Sequence, residues 1–114
     1  MRIEESKAKV DAKTFADALS AEGVPANYGY IPACVYEYPL FVNKNAYPTT
    51  HAPFDSKYYG KEINYSHGMC PVAEQILSTA VKFPISEFYT DRDVENIIAA
   101  IRKVAMWFQN EVKK

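Results

Sequence analysis

The stretch from Thr90 to Phe108 constrains the fold more than any other part of the chain. Val94, Ile97, Ile98, Ile101, Val104, Ala105 and Phe108 recur at three-and-four spacing. That rhythm predicts a long helix with one apolar stripe, and Arg92, Glu95, Arg102 and Lys103 fall on the other side. Thr90 can cap it, because its hydroxyl can accept a bond from an orphan amide of the first turn. Asp93 fills the partner place of a capping box with a shorter acid than usual. Asp91 and Asp93 complement the positive helix start, and Lys113 and Lys114 complement the negative end. A stripe of this kind has to be laid on something, and the segments before it offer a small sheet.

Cys70-Pro71 opens a shorter helix. Proline suits the first helical position, where its missing amide would be an orphan anyway. This helix is expected to reach about Thr79, with Val72, Ala73, Ile76 and Leu77 as its buried side. Ala80 to Ile85 follows as a strand, with Val81, Phe83 and Ile85 on one face. Pro84 places it near an edge or at its end.

Towards the start, Met1 to Glu5 is a short edge-strand candidate with Ile3 as its strongly apolar residue. Asp11 is placed to cap a helix over Ala12 to Glu22. Phe15, Ala18, Leu19 and Glu22 share a side there, with Phe15 and Leu19 as the buried pair. Gly23 ends it, since glycine takes the left-handed turn cheaply, and Pro25 follows. Ala26 to Ile31 reads as a strand in which Gly29 hints at a bulge or a close approach. Pro32 to Phe41 is bracketed by prolines, so a short helical turn or an extended lining segment is expected. Residues 43–69 are rich in turn signals, and so long a loop is usually functional or poorly ordered. The order of elements predicts an α+β fold: a small three-stranded, mainly antiparallel sheet covered by about three helices. A length of 114 residues fits a single domain, residues 1–114.

Composition removes several function classes. Hydrophobic residues make up 48% and charged ones 24%, so a folded core is expected. A net charge of −1, without clustered Lys and Arg, argues against a nucleic-acid surface. No apolar run is long enough for a bilayer, and Met-Arg-Ile-Glu-Glu-Ser lacks the apolar centre of a signal peptide. Two cysteines in different motifs suggest free thiols and a cytoplasmic location.

Candidate chemistry is sparse. Cys34, His51, His67 and Cys70 are nominal zinc ligands, but only His67 and Cys70 lie close together and no Cys-x-x-Cys or His-x-x-x-His pair occurs, so no metal site is expected. Cys70 at a helix start, with His67 nearby, is a conceivable nucleophile, against the plain reading of a small apolar residue. Glycine-rich phosphate cradles are missing from the sequence. The tyrosines are more suggestive. Tyr28, Tyr30, Tyr36, Tyr38, Tyr58 and Tyr59 lie between the first helix and Gly60. Tyr28, Tyr30, Tyr36 and Tyr38 occupy adjoining irregular segments. Phenol hydroxyls beside ring faces suit a small polar ligand such as a sugar, and half-buried sheet tyrosines are the plain alternative.

The same residues carry a resemblance. Cys70-Pro-Val-Ala-Glu74, a strand ending near Pro84, and Thr90-Asp-x-Asp-Val94 leading into Ile97-Ile-Ala-Ala-Ile101 resemble the C-terminal end of the DegT/DnrJ/EryC1/StrS sugar aminotransferases. Ala18-Leu-x-Ala-Glu-Gly-Val-Pro25 is similar to the family's first small-domain helix and its glycine stop. Gly29-Tyr30 and Tyr36-x-x-Pro-Leu-Phe41 are similar to the branch acting on cyclitols and related carbocyclic ketones. The likeness runs from about Arg2 to Trp107, and the shared order of the pieces carries it.

The resemblance implies the C-terminal small domain of a fold-type I, pyridoxal-phosphate-dependent aminotransferase. Such enzymes transfer an amino group to a keto-sugar or cyclitol ketone. It implies that the Schiff-base lysine and the rest of the cofactor site belong to a large domain with no counterpart here. The chain is then expected to bind no cofactor and to be inactive alone, as a fragment whose partner is that large domain. Tyr30 and Tyr36 would line the substrate, with Tyr28 and Tyr38 behind them, and no residue here would be catalytic. A face once covered by the large domain, including Met106 and Trp107, would give weak self-association. The alternative is a free-standing small-molecule-binding or regulatory module derived from that domain, with a cysteine enzyme built on Cys70 a distant third.

Overall fold

A computed structural model describes residues 1–111, apart from the side chains of Ser56 and Tyr58. Lys113 and Lys114, expected to complement a helix end, and the Tyr58 side chain lie outside the described residues. The chain forms two compact units. One comprises Met1–Tyr30 and the segment from Ser78 on; the other is Ile31–Leu77.

The first unit is α+β. It holds α1 (Glu5–Ala8), α2 (Ala12–Ala21), β1 (Asn27–Tyr28), β2 (Val81–Lys82) and α6 (Asp91–Glu111). The second holds a 3₁₀ turn (Val35–Glu37), α3 (Pro39–Val42), α4 (Ser56–Tyr59) and most of α5 (Pro71–Thr79).

Local signals fix α2 at both ends. Asp11 accepts from the Thr14 amide at 2.9 Å and from its hydroxyl at 2.7 Å. At the other end Gly23 sits at φ +89°, where a side chain would be strained. Its amide donates to Ser20 O at 3.0 Å, and the Val24 amide donates to Leu19 O at 3.1 Å. That pair of bonds is a Schellman stop. The opening of α6 is equally legible: the Thr90 amide donates to Asp93 Oδ2 at 2.8 Å and the Asp93 amide to Thr90 Oγ1 at 3.3 Å. The reciprocal bonds satisfy orphan donors of the first turn.

Core residues come from α2, β2 and α6 and from the segments that flank them. Phe15, Leu19, Ile3, Val24, Val81 and Val104 are buried together, with Ala12 and Ala16 closing the gap beside them. Burying a side chain of Leu or Val size contributes about 1.5–3 kcal/mol, so this cluster dominates the unit's stability. Ile97, Ile101, Ala105 and Phe108 pack on it from α6, as the stripe requires. The stripe is narrower than its sequence: Val94 and Ile98 remain 46% and 42% exposed.

The sheet is smaller than expected. β1 and β2 pair antiparallel, with Asn27 opposite Lys82 and Tyr28 opposite Val81. The anticipated third strand shrinks to one bridge between Arg2 and Ala80. Bonds from Ile3 N to Thr79 O and from Val81 N to Met1 O, at 2.8 and 2.9 Å, hold it there. It can go no further because the chain turns into α1 at Glu5. β1 is cut short in turn by Gly29, at φ +70°, which donates to Ala80 O at 2.9 Å and then leaves the sheet.

In the second unit the apolar material is aromatic. Phe41, Phe54 and Tyr65 form a mutual cluster with ring centroids 5.6–6.0 Å apart. Cys34 is the buried apolar residue of this unit among the described residues. The helix at Cys70-Pro71 forms over its predicted span, but its expected inner side is corrected. Val72 and Ile76 are 69% and 45% exposed and Ala73 is exposed, while Leu77 is half-buried. The side turned inward is that of Glu74, whose side chain is 13% exposed. A polar tether, rather than an apolar stripe, sets the rotation of this helix. Among the described residues no helix is long and apolar enough to cross a membrane.

Candidate functional site

Polar groups converge in the second unit around two glutamates. Glu37 ends the 3₁₀ turn. Its Oε2 accepts the Cys34 amide at 2.9 Å, while its own amide donates to Cys34 O at 2.8 Å. This closed ring fixes the carboxylate to its own turn and leaves Oε1 for His67, whose Nδ1 lies 2.7 Å away. Glu74 belongs to the first turns of α5, and its amide donates to Cys70 O at 3.0 Å. Its Oε1 accepts both the Tyr36 hydroxyl and the Gly68 amide, the latter at 2.7 Å. Oε2 faces His67 Nε2 at 3.5 Å.

His67 therefore stands between two carboxylates. A carboxylate can only accept here, so Nδ1 carries the proton shared with Glu37. The hydrogen bond to Glu37, helped by the charge of Glu74, raises the imidazole above its ordinary value of 6.5. Glu74 is held below its ordinary carboxylate value, first by the Tyr36 hydroxyl and also by the Gly68 amide and His67. Tyr36 moves the other way: burial and its bond to Glu74 both keep the phenol protonated. The result is a neutral phenol donating to an ionised acid, beside an imidazole inclined to hold its proton. The arrangement can share charge, and it ties the Tyr36–Glu37 turn to a loop and helix start at least thirty residues later. Both ring nitrogens of His67 face carboxylates, so the geometry does not present this imidazole as a base for Cys70, an exposed free thiol.

The four tyrosines singled out from sequence have different surroundings. Tyr36 is half-buried and belongs to the glutamate cluster. Tyr38 lies between the 3₁₀ turn and α3; its amide donates to Val35 O at 3.2 Å and its carbonyl accepts the Phe41 amide at 2.9 Å. In the first unit, Tyr28 is on β1 and Tyr30 just beyond it, 47% and 73% exposed. The Lys82 ammonium stands 6.0 Å from the Tyr30 ring centre, at the outer limit of a cation–π contact. Glu37 and the bridging place of His67 are not evident from sequence. Their signals are faint: an acid directly after Tyr36, and a histidine three residues before Cys70.

A second feature of this unit is a recess of about 60 Å³ lined by Pro53, Phe54, Tyr59, Lys61, Ile63 and Tyr65. It has room for about two waters, far below the ~300 Å³ at which ligand pockets begin. Among the described residues, no group of three His, Cys, Asp or Glu side chains could hold a metal ion.

A Schiff-base lysine needs an amine that is desolvated or placed beside another cation. Lys7, Lys13 and Lys103 are exposed instead, and they pair with Glu4, Asp17 and Glu22 at 2.8, 2.7 and 2.7 Å. Lys82 is exposed beside Tyr30. No protein-family model, curated protein or solved structure matches the chain.

Proposed function

We propose that this chain serves as the substrate-facing small domain of a pyridoxal-phosphate-dependent aminotransferase of the DegT/DnrJ/EryC1/StrS kind. Its acceptor would be a keto-sugar or a cyclitol ketone. In this reading a large domain, on the same or another chain, holds the cofactor and the reactive amine. The present residues shape the cleft and bind the ketone's hydroxyl-rich end. Tyr30 and Tyr36 are the first candidates for substrate contact, and Tyr28 and Tyr38 the second. The exposed Tyr28 and Tyr30 each offer a ring face and a hydroxyl to a sugar, while Tyr36, whose hydroxyl is engaged by Glu74, offers chiefly its ring.

One observation supports the reading above the others. The acid of Cys70-Pro-Val-Ala-Glu74 is engaged by Tyr36 and by the Gly68 amide. A carboxylate so engaged positions a tyrosine segment and is poorly placed to act as a general base. The motif then has a structural task suited to a lid. Met106 and Trp107, 57% and 56% exposed, offer an apolar surface for a partner domain. In its absence weak self-association is expected, and light scattering that shows a monomer at high concentration would count against it.

Two experiments test the reading. Treating the chain with pyridoxal phosphate and borohydride is expected to leave no stoichiometric adduct at any single lysine; one such adduct would refute the division of labour. Adding a keto-sugar to the isotope-labelled chain is expected to shift tyrosine ring signals at Tyr30 and Tyr36. Silence at both rings, with the fold intact, would remove them from the lining.

A further inference from the structure

We propose that Glu37, His67 and Glu74 form a proton-operated latch that fixes the Cys34–Tyr38 segment to the start of α5. The argument is geometric and stands whether or not the tyrosines line a sugar. Glu37 is part of its own turn, because Oε2 is closed on the Cys34 amide at 2.9 Å. Glu74 is part of α5 and also holds Tyr36 and Gly68. His67 is the piece that touches both acids, at 2.7 Å through Nδ1 and 3.5 Å through Nε2. Its side chain is 79% exposed, so protons reach it freely, while the acids it joins are only 22% and 13% exposed.

The two states of the imidazole differ on one side only. As imidazolium it presents an N–H to each carboxylate, and its charge offsets theirs. When it loses a proton, Nδ1–H still donates to Glu37, but Nε2 turns a lone pair toward Glu74. Two ionised acids then face each other across a neutral ring, and the Nε2 side releases first. The other titratable side chains on the turn, on the loop that carries His67 and at the start of α5 are Cys34, Tyr36, Tyr38, Lys61, Glu62, Tyr65 and Cys70. Of these, Tyr36 remains a donor to Glu74 in both states.

The direction with pH follows. His67 is raised, so its contribution is complete below about 6.5 and is lost as pH climbs through the raised value. Glu74 is lowered, so its contribution is complete above about 4.5 and is lost as pH falls through the lowered value. The latch is fully closed between those limits; at higher pH the His67 arm loosens while the Tyr36–Glu74 bond holds, and at lower pH Glu74 itself is lost. Because His67 is exposed, solvent screens the effect, and the opening equilibrium should change by no more than about fivefold.

The test is a pH titration of the isotope-labelled chain by NMR from about pH 4 to 9, where histidine changes charge. His67 should titrate above the ordinary imidazole midpoint. The Cys34 and Gly68 amides and the Tyr36 ring should move with that same midpoint. In His67→Gln these three signals should lose the transition, and in Glu37→Gln the His67 midpoint should fall. Normal titration of His67 in the unaltered chain would overturn the proposal. So would Cys34, Gly68 and Tyr36 signals that ignore its midpoint, and both readings are available even if a variant fails to fold.

Discussion

The two units are built on different physics. In the first, nine residues form one buried apolar cluster drawn from segments at both ends of the sequence. In the second, Cys34 is the one buried apolar residue among those described, and order comes from ring contacts and a glutamate cluster. Apolar burial is non-directional and tolerates small shifts. A polar cluster demands that each donor meet its acceptor, since a half-satisfied group is costly. The first unit should thus resist most surface changes and fail when its core is hollowed. The second should respond to single polar substitutions and to pH.

The strongest way to break this contrast is Leu19→Ala. Leu19 is fully buried, so its truncation should cost about 2–5 kcal/mol in urea unfolding. Phe54→Ala in the second unit removes a half-buried ring and should cost clearly less; equal losses would erase the distinction. Gly23→Ala tests the helix stop. Nothing lies within 4 Å of an added Cβ, so the cost is that of a left-handed residue alone, about 1–2 kcal/mol. Thr90→Ala should remove about 1 kcal/mol by undoing the reciprocal cap of α6. Smallest of all is Lys103→Ala. Its ammonium meets Glu22 at 2.7 Å on the surface, so the loss should stay under about 1 kcal/mol and fade in salt.

Legibility in the sequence divides along the same line. Asp11, Gly23, Thr90 and Asp93 act within a few residues of themselves, so their roles could be read directly. The pairing of Phe15 with Leu19 and the stripe from Ile97 to Phe108 follow from helical period alone. The third strand is shorter than its sequence suggests, because Met1 to Glu5 says nothing about how early the chain turns into a helix. α5 departs from its expected rotation for a related reason. Its apolar residues suggested one inner side, but Glu74 faces in, held by Tyr36 from thirty-eight positions earlier. Partners that far apart leave no periodic trace. Glu37 and the bridging role of His67 leave almost no sequence signal on the same ground: their task exists only once the turn, the loop and the helix have met. Tyr36 stands out in the sequence for its phenol and its neighbouring tyrosines, while the partner of its hydroxyl, Glu74, leaves no trace there.

The most direct test of the account is amide exchange in Glu74→Gln, compared with the unaltered chain. If the second unit is organised by its polar tether, Gly68 should lose protection and the Tyr36 ring signal should shift. The amides of Leu19 and Val81 should stay as they were. Unchanged protection at Gly68, or equal loosening of both units, would contradict it.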